Sequence, residues 1–412
     1  MNNVKSKLKG NLKQYSMLIA LVAIIVFFQI LTGGRLLRPM NVSNIVFQNA
    51  YVVILAVGML LCILTGGNID LAVGSVVAFV SACAGQMIIV WHWNVYLSIG
   101  LCLLIGILVG AWQGFWIAYV RIPAFIVTLS GQLVFRGLTL LMLNGLTLAP
   151  FPDTYLMFST GFIAKEAKMN LLGMNVNIVC LLTGVAVALI FCVVQIINNR
   201  ARKRKGYEAD TPLSLAIKLV VISAALIWFF ALLAQYQGIP SVLVILGILL
   251  LVYSFFTTKT VMGRHIYALG GNEKAARLSG VKTNHLMFFA YVNMSFLAAV
   301  GGLVFAARLN SASPVTGSGF ELDAIGACFI GGASAYGGIG TVGGTLIGAL
   351  IMGMLNNGMS IMGISSNTQQ VVKGLVLLGA VAFDVISKMN LGLFRRRPKT
   401  LSLTDSGESA GA

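Results

Sequence analysis

The sequence predicts an all-α polytopic integral membrane protein with about twelve transmembrane helices. Of its 412 residues, 58% are hydrophobic and only 9% are charged, against roughly 25% charged residues in an average soluble domain. The mean hydropathy is +0.92. Apolar stretches recur along the chain that are long enough to cross a hydrocarbon core about 30 Å thick, at about 1.5 Å per helical residue. Twelve crossings from a lysine-rich start place both termini in the cytoplasm.

The first apolar run, residues 17–31, is predicted to be a retained span. Residues 1–14 form a cytoplasmic tail with Lys5, Lys7, Lys9 and Lys13. No small-residue cleavage site follows the run, which argues against a signal peptide. The next four spans are predicted at 43–65, 69–91, 95–120 and 123–145, and Arg121 marks the cytoplasmic side between the last two.

Residues 146–172 form the longest loop on the opposite side. Two spans after it, at 174–197 and 214–236, enclose a basic cluster that is predicted to be cytoplasmic; its members are Arg200, Arg202, Lys203, Arg204 and Lys205. A solvated charge run without a partner is the simpler interpretation of that cluster. The remaining spans are predicted at 238–257, 285–307, 321–335, 340–361 and 367–387, the third of these being short. The whole transmembrane domain covers 15–390, and the basic tail 391–412 is predicted to be cytoplasmic and disordered.

The formal net charge of +17 would suggest nucleic acid as a partner of a soluble protein. Here the basic residues fall in short loops and tails, where the positive-inside rule accounts for them, so the lipid bilayer is the partner and nucleic acid is not. The six cysteines lie in apolar runs and the three histidines are scattered. We therefore expect no metal site and no cofactor. No P-loop motif occurs, so we expect no ATP site in this chain.

A polar, helix-forming segment at residues 263–280 interrupts the apolar pattern. Asn272 is a good N-cap and Glu273 lies in the first turn, near the positive end of the helix dipole. Arg277 falls in the last turn and Gly280 in the C′ position. A loop that only connects two spans does not require a capped helix. On local chemistry alone, a solvated amphipathic connector remains the alternative.

Small residues characterise the same segment. Ala275 and Ala276 leave part of the short helix without bulk, and with Leu278 and Ser279 they are predicted to form a low, water-exposed ridge. Gly270 and Gly271 are expected to let the chain turn sharply before the helix.

This segment resembles the cytoplasmic coupling loop of the permease subunits of bacterial ABC importers for monosaccharides, the ribose, xylose, galactose and multiple-sugar group. Further motifs of that family follow in the family's order and cover residues 40–387; they are Gly67–Ser75, Ile122–Ser130, Glu321–Ile325, Gly343–Gly348 and Leu355–Gly358. The extra pair of spans resembles an inserted hairpin on a ten-helix core, as in the xylose and multiple-sugar permeases.

The resemblance implies an inner-membrane permease subunit, not an enzyme, that forms the translocation path of an ATP-driven, binding-protein-dependent importer of pentoses or hexoses. It implies a homodimer, a separate ABC ATPase and a periplasmic or lipid-anchored sugar-binding protein as partners. The coupling loop would span 259–284, and the residues implied in ATPase coupling are Gly263, Arg264, Gly270, Gly271, Asn272, Glu273, Ala275, Ala276, Arg277, Leu278 and Gly280.

Ionisable residues inside the apolar segments are costly and are expected to face a bundle interior or water. Asp70 and Arg136 are predicted to serve helix packing through an internal partner in preference to direct sugar contact. Lys373 and Asp384 lie close enough to span ends to snorkel towards water. The polar candidates for the path or for internal packing are Asp70, Arg136, Asn293, Asn356 and Asn357.

Three other functions are weighed against this one. An amino-acid permease of the same superfamily is excluded only by the resemblance. An ion-coupled secondary transporter would need acidic or histidine relays and two similar halves with broken helices. An intramembrane enzyme would need a clustered acid, base, nucleophile or metal set, and the sequence contains none.

Overall fold

The computed structural model describes residues 2–171, 174–207 and 211–393. In the first half of the chain the helices run α1 Asn2–Leu31, α2 Pro39–Leu64, α3 Val73–Gly85 (extended by a π-helical turn, Gln86–Val90), α4 Val95–Ala118, α5 Ala124–Leu143, α6 Asp153–Thr160 and α7 Ile178–Arg204. In the second half they run α8 Pro212–Ala234, α9 Ser241–Lys259, α10 Val261–Gly271, α11 Glu273–Leu278, α12 Thr283–Leu309, α13 Phe320–Ile330, α14 Val342–Ile361 and α15 Ser366–Leu393.

The predicted all-α membrane fold is confirmed. Ten helices within the described residues are long and apolar enough to cross a membrane. The first predicted span contributes the shorter apolar stretch Met17–Leu31, and the span predicted at 321–335 is an eleven-residue helix, α13. All twelve predicted segments are therefore helical, but two of them are short. The predicted tail at 391–412 lies outside the described residues from 394 onwards.

Four short strands lie in the connections around α7 and α8. β2 (Lys168–Leu171) and β3 (Met174–Asn177) form an antiparallel hairpin just before α7. β1 (Phe162–Ile163) pairs antiparallel with β4 (Ile239–Pro240), the strand that leads into α9. The β1–β4 pairing joins the long loop after α5 to the start of α9.

Helix α2 is the centre of the bundle. Almost all of its residues from Ala50 to Leu64 are fully buried, and it packs against α9, α12, α13 and α14. Helices α7 and α8 instead pack chiefly on each other, where Gly184 leaves room for the Phe230 ring. Their outer faces are apolar and exposed, so this hairpin lies at the periphery, as an insertion on a core would.

One face of α4 carries glycines at a four-residue spacing, and this face meets α12 of the same chain. A Cβ on Gly106 would lie 2.8 Å from the Ser295 carbonyl oxygen, and one on Gly110 would lie 2.7 Å from that of Tyr291. Glycines at a four-residue spacing thus allow two helix backbones to touch, which is a common way to pack helices in membranes.

Two spans are broken in the middle of the bundle. Tyr51 is halfway along α2, and its ring stacks on that of Phe320, the first residue of α13, with 3.9 Å between centroids. The start of α3 meets the same place, because a Cβ on Gly74 would lie 2.1 Å from the Gly317 carbonyl oxygen. We call this meeting of the N-terminal ends of α3 and α13, at residues 73–74 and 317–320, the bundle centre.

From the bundle centre α3 and α13 run towards opposite ends. Helix α13 ends at a loop, residues 331–341, that packs against α10. The last residue of α3, Gly85, packs against Leu148 and Ala312, which lie beyond the far end of α12. The arrangement therefore places α3 and the eleven-residue α13 end to end inside the bundle, with their N-terminal ends facing each other.

Candidate functional site: helix α11 and the bundle centre

Helix α11 has the cap that the sequence predicts. The Asn272 side chain accepts a 3.0 Å hydrogen bond from the Ala275 backbone N–H. Glu273 forms ion pairs with Arg277, four residues on, at 2.9 Å and with Arg121 at 2.8 Å. Gly280 has φ +83°, a conformation that glycine adopts without strain. The Arg121 pair ties α11 to the connection between α4 and α5.

The expected sharp turn at Gly270 and Gly271 is wrong. Helix α10 continues through both residues, and the chain turns at Asn272, which is extended with φ −163°. Gly270 is needed for a close approach instead. A Cβ there would lie 1.8 Å from the Leu64 carbonyl oxygen and 2.4 Å from the Gly338 nitrogen, so α10 lies directly on α2 and on loop 331–341.

The predicted exposed ridge is wrong for one of its members. Ala276 is only 6% exposed, because the turn through Gly280 folds α11 back against α12. Ala275, Leu278 and Ser279 are exposed, and Leu278 is 89% exposed. The free face of α11 therefore includes an apolar leucine close to a small alanine.

Other predicted coupling residues lie on α10. A Cβ on Gly263 would lie 2.2 Å from the Phe256 carbonyl oxygen, so this glycine permits the tight corner between α9 and α10. Arg264 is exposed, and its guanidinium donates to the Lys259 carbonyl at 3.3 Å. Burial raises the pKa of the Tyr267 phenol above its ordinary value, and its hydroxyl donates to the Gly340 carbonyl at 2.8 Å.

Asp70 and Arg136 each form hydrogen bonds with backbone groups next to the bundle centre, Asp70 before α3 and Arg136 before α13. Asp70 is fully buried, and its Oδ1 accepts the Ala72 backbone N–H at 2.9 Å, just before α3 begins. Arg136 of α5 donates to the carbonyls of Pro314 and Thr316 at 2.8 and 2.7 Å. The sequence predicts an internal partner for both residues. For Arg136 the structure gives carbonyl oxygens of the segment that leads into α13.

The three predicted asparagines do not come together into one site. Asn293 of α12 accepts a hydrogen bond from the Tyr253 hydroxyl of α9. Asn357 of α14 donates to Gln48 of α2 at 2.9 Å, and it accepts from Asn41 of the same helix at 2.9 Å. Asn356 is half-buried. The Asn293 amide thus links α12 to α9, and the Asn357 amide links α14 to α2.

An ion pair inside the bundle was not predicted from the sequence. The Lys373 ammonium lies 2.9 and 3.1 Å from the two carboxylate oxygens of Asp323, which is 1% exposed. The Tyr51 hydroxyl donates to the same carboxylate at 2.8 Å. The expectation that Lys373 snorkels is therefore wrong, because its partner lies within the bundle. The sequence does place a lysine in one apolar span and an aspartate in another, which is the pattern that could have predicted the pair.

Asp384 also stays inside. It is 7% exposed, and its Oδ2 lies 3.5 Å from the Ala335 nitrogen, in the loop after α13. The expectation that Asp384 snorkels towards water is therefore wrong.

The acidic residues at the N-terminal ends of α3 and α13 share a physical role. Asp70 precedes the first turn of α3, and Glu321 and Asp323 lie in the first turn of α13. Carboxylates there complement the positive ends of two helix dipoles that face each other.

Comparison with known proteins decides the family. A family model described as the permease component of branched-chain amino acid transport systems matches residues 41–381. The chain belongs to this family. It is 36% identical over 386 residues to the xylose transport system permease protein XylH of Haemophilus influenzae, covering 93% of this chain and all of that protein. No solved structure matches this chain.

Two further relatives extend the same pattern. The XylH protein of Escherichia coli K12 is 37% identical over 385 residues, covering 92% of this chain and 93% of that protein. The ribose import permease protein RbsC of the same organism is 34% identical over 376 residues, covering 91% and 95%. The chain is thus a multi-pass permease of the bacterial inner membrane and not itself an enzyme.

Proposed function

We propose that this permease is the membrane subunit of an ATP-driven, binding-protein-dependent importer of monosaccharides. The observation that carries the proposal is its identity of 34–37%, over more than nine tenths of its length, to permeases named for xylose and ribose. Both sugars are pentoses, so a pentose is the first substrate to test.

The translocation path is proposed to lie between two copies of the chain. Two hollows among the described residues, one on α1 and one between α9 and α12, are open and apolar. Neither offers the hydroxyl-bonding groups that a sugar needs. Two of the polar side chains inside the bundle, Arg136 and Asn357, bond to other segments of the same chain. The resemblance to sugar ABC importers, which implies a homodimer, favours a path between two copies of the chain over one through a single copy.

Helix α11 is proposed as the docking element for a separate ATPase. Leu278 projects from it almost fully exposed, next to the small Ala275. An exposed apolar side chain on a short, capped and ion-paired helix is suited to fill a groove on a partner protein. The ion pair between Arg121 and Glu273 links this helix to the connection between α4 and α5, so a displacement of Leu278 is transmitted to the bundle.

The docking proposal is tested by Leu278→Glu, with Lys274→Gln as the control on the same exposed helix. Leu278→Glu should abolish co-purification of the ATPase and sugar uptake by cells, at unchanged membrane levels of the permease. Lys274→Gln should leave both unchanged. Normal ATPase binding by Leu278→Glu would refute docking at α11.

The substrate class is tested by competition, because the family model is described for branched-chain amino acids. Labelled xylose or ribose uptake that depends on this permease should be competed by unlabelled pentoses and not by leucine, isoleucine or valine. Permease-dependent leucine uptake with no pentose uptake would establish the amino-acid alternative.

A further inference from the structure

We propose that half-helix α13 transmits movement of the docking segment, α10 and α11, to the bundle centre. The inference rests on the proposed function, since it takes this segment to be where the ATPase acts. The proposed route through the bundle passes through loop 331–341 and along α13.

The near end of this route is a direct contact between backbones. The Gly338 N–H donates to the Leu64 carbonyl at 3.2 Å, beside Gly270 of α10. Neither glycine leaves room for a side chain there; a Cβ on Gly338 would lie 2.8 Å from the Gly271 nitrogen. The Tyr267 hydroxyl adds the bond to the Gly340 carbonyl described above. A shift of α10 therefore cannot be absorbed by side-chain rotation and must displace the loop.

Loop 331–341 is firmly joined to α13. Its own turns are closed by backbone hydrogen bonds, including Ser334 N–H to the Ile339 carbonyl at 2.8 Å and Ala333 N–H to the Cys328 carbonyl at 2.9 Å. A Cβ on Gly348 of α14 would lie 1.9 Å from the Ala327 carbonyl oxygen. Backbones packed this closely move together, since protein interiors are close-packed. The loop, α13 and the first half of α14 thus form one unit.

The far end of α13 reaches the bundle centre. Eleven residues at about 1.5 Å each span roughly 16 Å, about half of a hydrocarbon core about 30 Å thick. There the Phe320 ring stacks on Tyr51, and Asp323 pairs with Lys373 of α15. Gly317 leads into this end and touches Gly74 of α3, where a Cβ would lie 2.0 Å from the Gly74 carbonyl oxygen. Displacement of α13 therefore changes the contact between the two broken spans.

Helix α12 is the competing route, because it follows α11 directly in the chain. It packs along α2, α3 and α4, and most of its residues from Ala290 to Ala307 are buried. Sliding it would disturb packing over its full length. Helix α13 packs against α2, α14 and α15, and the outward face of α15 is exposed at Val371, Leu375 and Leu378. Because α13 has only eleven residues, its displacement disturbs packing over a shorter length than sliding the 27 residues of α12 would.

The test compares two tyrosines that make the same bond in different places. Tyr267→Phe removes the 2.8 Å bond to the Gly340 carbonyl. The matched control, Tyr155→Phe, removes a 2.8 Å bond from a buried tyrosine hydroxyl to the Leu303 carbonyl, between α6 and α12. Each variant is reconstituted in liposomes with the ATPase and the binding protein, and three quantities are measured: ATPase binding, ATP hydrolysis and sugar molecules imported per ATP.

Tyr267→Phe should bind the ATPase normally and import about two- to tenfold less sugar per ATP, the range expected for one lost hydrogen bond in the linkage. Tyr155→Phe should leave the ratio unchanged. An unchanged ratio in both variants, or an equal fall in both, would overturn the route through α13. Absence of ATPase binding by the unmodified permease would overturn the proposed function instead, and this inference with it.

Discussion

Removing the charge of Lys373 tests the ion pair that fixes α15 to the bundle centre. Lys373→Met keeps an unbranched side chain of similar length and removes the ammonium that lies 2.9 Å from Asp323. The Asp323 carboxylate, only 1% exposed, would then be left with the Tyr51 hydroxyl as its described side-chain hydrogen-bond donor. The variant creates an uncompensated buried charge.

The size of the effect follows from that burial. Breaking a buried ion pair by removing one partner costs about 3–5 kcal/mol, because the remaining charge has lost its counterion. Removing both charges in Asp323→Asn/Lys373→Met costs much less, since a neutral amide can still accept the bond from Tyr51. The double variant should therefore be more stable than the Lys373→Met single variant.

The assay is thermal inactivation in detergent, followed by size-exclusion chromatography of the remaining folded protein. Lys274→Met, on the exposed face of α11, is the control and should change stability by no more than about 0.5 kcal/mol. A loss in Lys373→Met no larger than in this control would refute the reasoning. So would a double variant as unstable as the single one, because the cost would then come from packing.

Three further predictions follow from the same contacts. Tyr51→Phe should lower stability by about 1.5–3 kcal/mol in the same assay, the range for a hydrogen bond to a charged group; no loss would mean that the bond to Asp323 is not formed. Ala276→Glu should reduce membrane levels because Ala276 is buried, whereas Ala275→Glu should keep them and lose ATPase binding; the reverse would contradict the orientation of α11. In a variant without native cysteines, Glu166→Cys should react with an impermeant thiol reagent in spheroplasts and Ser279→Cys should not; labelling of Ser279→Cys would overturn the predicted topology.

The helices were predictable because their signal is local. Each apolar run ends at residues that stop a span, such as Arg121 after α4 and Thr260 after α9, and most predicted bounds agree with the helices within a few residues. The cap of α11 was equally local, since Asn272 bonds to an N–H only three residues away.

The broken spans were not predictable from hydropathy, because an apolar run does not show whether the chain crosses or turns back. The glycines before α13 carry the conformational signal: Gly317 and Gly319 both have positive φ. Pairing across the bundle is also non-local, as with Asp323 and Lys373, which are fifty residues apart in the chain.

The face that α11 presents lay outside the reach of sequence periodicity. A six-residue helix is too short for a hydrophobic pattern to orient it, and the small size of Ala275 and Ala276 does not distinguish between them. The fold does, because Ala276 lies against the bundle while Ala275 faces outward. Assigning the exposed apolar role to Leu278 therefore required the structure.

ATP-dependent accumulation of sugar in proteoliposomes tests the central claim most directly. The permease is reconstituted with the ATPase and ATP inside the vesicles and the binding protein with labelled pentose outside. The account predicts pentose accumulation that requires ATP, the ATPase and the binding protein together, and none in vesicles that contain the permease alone. Accumulation in permease-only vesicles under a proton or sodium gradient would contradict it and identify a secondary transporter.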